Sequence, residues 1–513
     1  EYDSSTRTNP PGGWRHISLS PIQSIDPTHY AGTGPYHVLT ANSTLNLVVL
    51  QRNPGYWGGW PAPGRKAFLE FVDIEYISDW ATRREAFKAG QLDVAAIPRS
   101  NMLELLDPAD PARMTPLPGY PGIKTIKNLS PSMSEDNLFF TFTVDATSPA
   151  LYTGSFPDGA PPDFMNNIHV RRAFAYAFNF TKYLNEVWLG EAIARQTPDI
   201  VGLVPDYYSL PDKNGLGPWT YGKNLAQMEA ELKLAMFGGT SVWAWGGFKL
   251  NVYYNLGNEP RRLACEFMQA SFNELNAASG KNFQVIPTGV DWATYLTYME
   301  TYVMPVWLIG WLADFADADN WKRPYMHTYG DFAYYQNYSL TNILTLGPTT
   351  HMNKDQLIDL AVKTPDGPAR AAMYADLDYI FVNDVPDLPV AQGLGRRWCW
   401  YWVRGWYFDS LYPSQFYYKL FKEQTSWGDV TGLGGTNTGV PDDVVNMRDI
   451  GYVAAHFGAK SPNPANVPPV PLYDPKWAPG MYGAGGCDVY GDRKVDMRDI
   501  GFAAAHFGAT TGP

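Results

Sequence analysis

One stretch constrains this 513-residue chain more than any other. It reads Val306-Trp307-Leu308-Ile309-Gly310-Trp311-Leu312-Ala313-Asp314-Phe315-Ala316-Asp317-Ala318-Asp319-Asn320-Trp321. A short apolar run opens it, the pattern of a strand buried on both faces. The run breaks at once into a polar segment with three carboxylates, Asp314, Asp317 and Asp319. In an open α/β sheet, ligands gather at the ends of such strands. A carboxylate there, flanked by Trp311 and Phe315, suits a cation or a bundle of hydroxyls. The same spacing also fits an ordinary Asp-rich turn after a core strand.

Hydrophobic residues make up 45% of the chain, ample for a large core in more than one domain. The net charge of −12 argues against a nucleic-acid partner. Eighteen Trp and 33 Tyr imply either an aromatic core or a cleft lined with flat amphipathic rings. Three cysteines, Cys265, Cys399 and Cys487, do not make a disulfide framework. Asn-x-Ser/Thr triplets at Asn42, Asn128, Asn179 and Asn337 favour an exported glycoprotein. No apolar run is long enough to span a bilayer.

Along the chain, Gly32-Thr33-Gly34-Pro35-Tyr36 sets a tight turn. His37 to Leu50 reads as a hairpin around Asn42-Ser43, with its second strand from Leu45. The loop Arg52-Asn53-Pro54-Gly55-Tyr56-Trp57-Gly58-Gly59 follows. Phe68 to Ile77 reads as a strand, Trp80 to Ala89 as a helix capped by Ser78 or Asp79 and stopped by Gly90, and Leu92 to Ile97 as another strand. Leu138 to Val144 is a further strand. His169 to Phe178 and Pro260 to Leu275 have helical spacing, with strands at Leu250 to Tyr254 and Phe283 to Ile286. Asp291 caps a helix through Met299. Ala371 to Phe381 is a helix and Asp387 to Val390 a strand.

Two of these motifs carry a resemblance. The Gly-Thr-Gly-Pro-Tyr … Arg-Asn-Pro-x-Tyr-Trp-Gly-Gly series and the Gly-Trp-x-Ala-Asp-Phe segment are similar to those of the family 5 extracellular solute-binding proteins. That family includes the dipeptide- and oligopeptide-binding proteins of ABC importers. The resemblance covers about residues 28–425. It implies an α/β, two-lobed, periplasmic-binding-protein type II-like fold that closes on a peptide or oligosaccharide and passes it to an importer permease. Residues 1–160 would be lobe I, 161–395 lobe II and 396–426 the return to lobe I. Asp314 matches the family's acceptor of a ligand α-amino group; Trp311, Phe315 and Asp317 would line the same inter-lobe cleft.

The turn motif lies near the start of this chain, whereas a longer segment precedes it in the family. We therefore expect an N-terminal fragment of the same precursor to accompany this one as a separate chain. One or more of the apolar strands such as Leu92 to Ile97 and Leu138 to Val144 would otherwise be left unpaired and partly uncovered.

The tail, residues 427–513, is distinct. Asn446 to Gly458 recurs as Asp496 to Gly508, an acidic loop leading into a short helix each time. Asp488, Asp492, Lys494, Asp496 and Asp499 have calcium-loop spacing, Lys494 contributing its carbonyl. Asp429, Asp442, Asn446 and Asp449 form a weaker first copy. The pair resembles a dockerin module, a small α-helical calcium binder. Arg493 stands where the loop usually has glycine.

Catalytic motifs are missing: there is no HExxH, GxSxG or Walker A. The reading is an extracellular or cell-surface binding receptor rather than an enzyme. The alternatives are a secreted carbohydrate-active enzyme, or a surface scaffold, carrying the dockerin-like module.

Overall fold

A computed structural model describes residues 32–42, 44–60, 66–118, 123–145, 160–209, 220–342, 344–400, 402–411, 415–423 and 447–455, and residues 497, 500 and 504 besides. The chain divides into two units. The first is Glu1–Ile126 with Arg397–Tyr407 and Gln415–Pro513; the second is Lys127–Arg396 with Phe408–Ser414.

In the first unit, strand Leu47–Arg52 lies between Tyr36–Asn42 and Phe71–Glu75, all antiparallel. The expected hairpin is present. Its turn is held by Asn42 Oδ1, which accepts from Leu45 N at 2.9 Å, and closes through Asn46 in the left-handed region at φ 52°. The second strand therefore starts at Leu47 rather than Leu45. Register places Val48 opposite Ile74 and Leu50 opposite Val38 and Val72, so one face of this sheet is apolar. Yet every residue of the central strand is half-exposed, and Ile74 is 40% exposed.

Helix Trp80–Lys88 forms where its cap predicts, with Asp79 accepting from Thr82 N at 2.8 Å. Gly90 follows it at φ +71°. The strand expected at Leu92 to Ile97 does not form. Only Val94 makes a bridge, to Cys399. The segment runs from the helix stop at Gly90 to Pro98, which precedes the 3-10 helix Arg99–Glu104. A second small sheet joins Val403–Arg404, Phe421–Glu423 and Lys66–Phe68.

The second unit is built on a six-stranded sheet. Its order is Asn282–Val290, Gly247–Asn255, Val306–Leu312, Ile123–Phe140, Asp387–Trp400, Ala192–Ile193. Gly247–Asn255 pairs in parallel with both Asn282–Val290 and Val306–Leu312, while Val306–Leu312 runs antiparallel to Ile123–Phe140. The crossover helix Glu259–Ser279 starts on Asn258, carries Pro260 in its first turn and stops at Gly280, φ +71°. Helix Trp292–Glu300 is capped by Asp291 as expected.

Strand Ile123–Phe140 ends at Phe140, not Val144, and has neighbours on both sides, so it is not left unpaired. Phe139 stacks on Trp307 at 4.4 Å between ring centres. Buried Tyr295 clamps the central strand: its hydroxyl donates to Leu308 O at 2.6 Å and accepts from Leu308 N at 2.9 Å. Gly310 is required here. A Cβ at that position would come within 2.4 Å of Asp136 Oδ1, displacing the Asp136–Arg261 ion pair that crosses the strand at 2.7 Å.

Charge is buried in this core. The Lys322 ammonium is wholly enclosed, 3.0 Å from Asp199 Oδ2 and also bonded to Asp378. Burial works against its charge, but the two carboxylates outweigh that and hold it above its ordinary range. Burial also raises Asp378, since one ammonium cannot fully compensate two carboxylates. Glu135 is 2% exposed, and neither of its oxygens has a hydrogen-bond partner among the described residues. Burial, then the neighbouring Asp387, Asp199 and Asp136, push its carboxyl well above the usual range.

Glu135 thus keeps its proton in the fold at pH values where the unfolded chain has lost it. Its contribution to stability is full below its ordinary value of 4.5 and is lost as pH rises toward the folded value. Glu135→Gln, which fixes the neutral form, is expected to exceed the parent in stability at pH 8 by about 1 kcal/mol or more, the value of one pKa unit. The gain should vanish near pH 4. Urea unfolding across that range checks it, and a pH-independent difference would contradict the assignment.

Candidate functional site

The acidic stretch does lie at the end of a buried strand. Val306 to Leu308 are fully enclosed, and exposure rises along Val306–Leu312 until Leu312 is 45% exposed. The chain then turns through Ala313 to Ala318 into helix Asp319–Met326. Ala313 N donates to Met133 O at 2.9 Å, so the turn begins anchored to the neighbouring strand.

The three carboxylates fare differently. Asp317 is taken up by Arg370, whose Nη2 and Nη1 reach its two oxygens at 2.8 and 3.0 Å. Its Oδ1 also accepts from Asp319 N at 2.8 Å. Arg370 is itself held by Asp366 at 2.7 Å and by Ala361 O at 3.0 Å. Asp319 is buried and pairs with Arg323 at 3.2 Å. Asp314 is exposed. Its Oδ2 accepts from Asn320 Nδ2 at 3.2 Å, and among the described residues nothing donates to Oδ1.

Asn320, 6% exposed, is the centre of this turn. Its Oδ1 accepts from Asp314 N at 2.9 Å and from Trp311 Nε1 at 3.3 Å, and its main-chain oxygen takes Trp311 Nε1 at 3.1 Å. Trp311 is half-buried, packs edge-on to Phe332 at 5.6 Å and stands opposite Glu135 in the ladder. Phe315 is 48% exposed.

The four sequence candidates therefore separate by role. Asp314 and Phe315 present free surface at the strand end, Trp311 is fixed within the turn, and Asp317 braces it. Asn320 and Arg370 escaped the sequence reading. Asn320 stood inside the stretch already marked, directly after Asp319 and three residues after Asp317. Arg370 lies 53 residues away, with nothing local to mark it.

Chemically, the turn offers one free carboxylate oxygen beside exposed apolar side chains. That arrangement can take a cation or hydroxyl donor and has neither a paired acid nor a nucleophile bonded to a base. The residues expected to ligate calcium, Asp429, Asp442, Asn446, Asp488, Asp492, Lys494, Asp496 and Asp499, lie outside the described residues. Asp449 falls within the described helix Met447–Ala455, but its side chain is not described.

The sequence profile of the bacterial extracellular solute-binding proteins, family 5 Middle, matches residues 19–332, more than half of the chain. Heme-binding protein A of Haemophilus influenzae is 22% identical over 365 residues, which is 71% of this chain and 55% of that protein. Among solved structures, the periplasmic binding protein DppA of Helicobacter pylori, in complex with the peptide STSA, is 20% identical with a TM-score of 0.52. The alignment covers 76% of this chain and 63% of that one. Haemophilus influenzae OppA, in complex with RPPGFSPFR, is 15% identical with a TM-score of 0.55, over 79% of this chain and 67% of that one. These likenesses show the fold, the two-lobed α/β architecture of periplasmic binding proteins. The chain spans only about half to two-thirds of the length of these relatives.

Proposed function

The chain belongs to the bacterial extracellular solute-binding proteins of family 5, and from that premise we propose that it is the exported, solute-capturing component of an ABC importer. Its ligand is a peptide with a free amino terminus, whose ammonium meets Asp314 Oδ1, with Phe315 and Leu312 offering apolar contact beside it. Its protein partner is the importer's permease. The observation that carries this is the state of the three acids: Asp317 and Asp319 are spent on arginines, and Asp314 alone keeps an oxygen unclaimed and exposed. Two structural relatives are complexed with peptides, which supports a peptide over an oligosaccharide. Heme-binding protein A and DppA are binding proteins by name, which supports capture of a solute over catalysis.

Two further elements complete the proposal. Calcium occupies the C-terminal repeats, supported by the spacing of Asp488, Asp492, Asp496 and Asp499 and by a helix at Met447–Ala455 where the first repeat requires one. An N-terminal fragment of the same precursor accompanies this chain. Support comes from the half-exposed apolar face formed by Val48, Leu50, Val72 and Ile74, surface that folded proteins normally cover.

A charge-assisted hydrogen bond contributes roughly 1.5–3 kcal/mol. Asp314→Asn should therefore weaken binding of a free-amino tetra-alanine peptide about tenfold or more, read by calorimetric titration. An N-acetylated peptide should bind poorly to both proteins, and preferential binding of a maltooligosaccharide would turn the reading toward sugars. Metal analysis of the purified chain should find calcium, and chelation should raise protease sensitivity of the tail, because clustered acids repel once the ion leaves. A metal-free tail with unchanged sensitivity would remove calcium from the account. Denaturing electrophoresis with N-terminal sequencing of native material should show a second polypeptide. A single monomeric species beginning at Glu1 would rule that partner out.

A further inference from the structure

Taking Asp314 as the ligand's acceptor, and so resting on the reading above, we infer that Asn320 is the positioning residue that makes it one. The inference starts from hydrogen-bond valence. An Asn amide offers two donors and an acceptor with two lone pairs. Asn320 spends them on one turn: Oδ1 on the Asp314 main-chain N at 2.9 Å and Trp311 Nε1 at 3.3 Å, Nδ2 on Asp314 Oδ2 at 3.2 Å. One side chain thus holds the acid at both its backbone and its carboxylate, and ties both to the neighbouring indole.

Asn320 can do this because its own place is fixed. It is 6% exposed, and its N donates to Asp317 O at 3.1 Å, the same Asp317 that Arg370 clamps from helix Pro368–Asp384. Two residues further on, Lys322 buries its ammonium between Asp199 and Asp378. The brace is therefore rooted in the core, while the residue it holds is exposed.

This has a chemical consequence for the site. A free aspartate in a loop rotates about its side-chain torsions and presents either oxygen. With Oδ2 engaged, the carboxylate keeps one orientation and leaves Oδ1 open. A group that binds there does not have to order the acceptor first, and preorganisation of this kind appears as affinity. Asn320 touches no ligand in this scheme; it acts wholly through Asp314.

A double-mutant cycle on the full chain tests it. Tetra-alanine with a free amino terminus is titrated against the parent, Asp314→Asn, Asn320→Ala and the double variant, with its N-acetylated form in parallel and the melting temperature of each recorded. Asn320→Ala should weaken the free-amino peptide about threefold to tenfold, and leave the acetylated peptide unchanged. The double variant should bind no more weakly than Asp314→Asn alone. Asn320→Ser is too short to reach Asp314 Oδ2 and supplies the same comparison with a polar group retained, where alanine costs solubility.

Parental affinity in both Asn320 variants would overturn the inference, as would losses that simply add in the double variant, or an equal loss for both peptides. If instead Asp314→Asn itself binds like the parent, the ligand assignment fails and not merely its brace.

Discussion

The acidic turn depends on a charge placed where charge is costly. Lys322 is wholly buried between Asp199 and Asp378. Desolvating such a group costs several kcal/mol, and removing one partner would leave the others uncompensated. The arrangement persists only while three distant segments keep their positions. Helix Asp319–Met326 is thereby fixed from within, and the turn that precedes it inherits that fixity. Arg370 repeats the device one layer out, gripping Asp317 with both nitrogens while its guanidinium lies over Tyr374 at 5.2 Å.

The two units contrast in how their sheets are covered. In the second, Phe139, Phe140 and Trp307 are fully enclosed, and Tyr295 bonds the backbone of a strand that has partners on either side. In the first, the sheet centred on Leu47–Arg52 has an apolar face that its own register creates but that remains half-exposed. An aromatic cluster of Tyr36, Trp60 and Tyr418, at 5.1 to 5.6 Å, gathers beside the end of that strand, with Arg52 over Trp60.

Short-range chemistry was legible in the chain. Asp79 and Asp291 cap the helices they precede, and Gly90 stands just past the helix it was expected to stop, because a capping side chain and a left-handed glycine act within a few residues. The buried strand at Val306 was legible for the same reason, as a run of large apolar side chains. What depended on distant pairing was not. Leu92 to Ile97 has the composition of a strand but finds, among the described residues, only one bridging partner, Cys399, far along the chain. Arg370 and Asp378, 53 and 56 residues from Asp317 and Lys322, carry no local mark of their partners. Of the candidate turn, its place at a strand end could be read from sequence, whereas the spending of Asp317 on an arginine could not.

The half-engaged carboxylate also bears on which cations the turn can tell apart. A guanidinium is a planar fork and is met best by a carboxylate offering both oxygens side by side. Asp314 has one lone pair of Oδ2 engaged by Asn320, while Oδ1 is open. An ammonium, compact and able to aim any of its three protons, loses nothing by that. On the proposed reading, a peptide's amino terminus needs only the open oxygen, so the bond to Asn320 costs it nothing, with no difference in net charge involved.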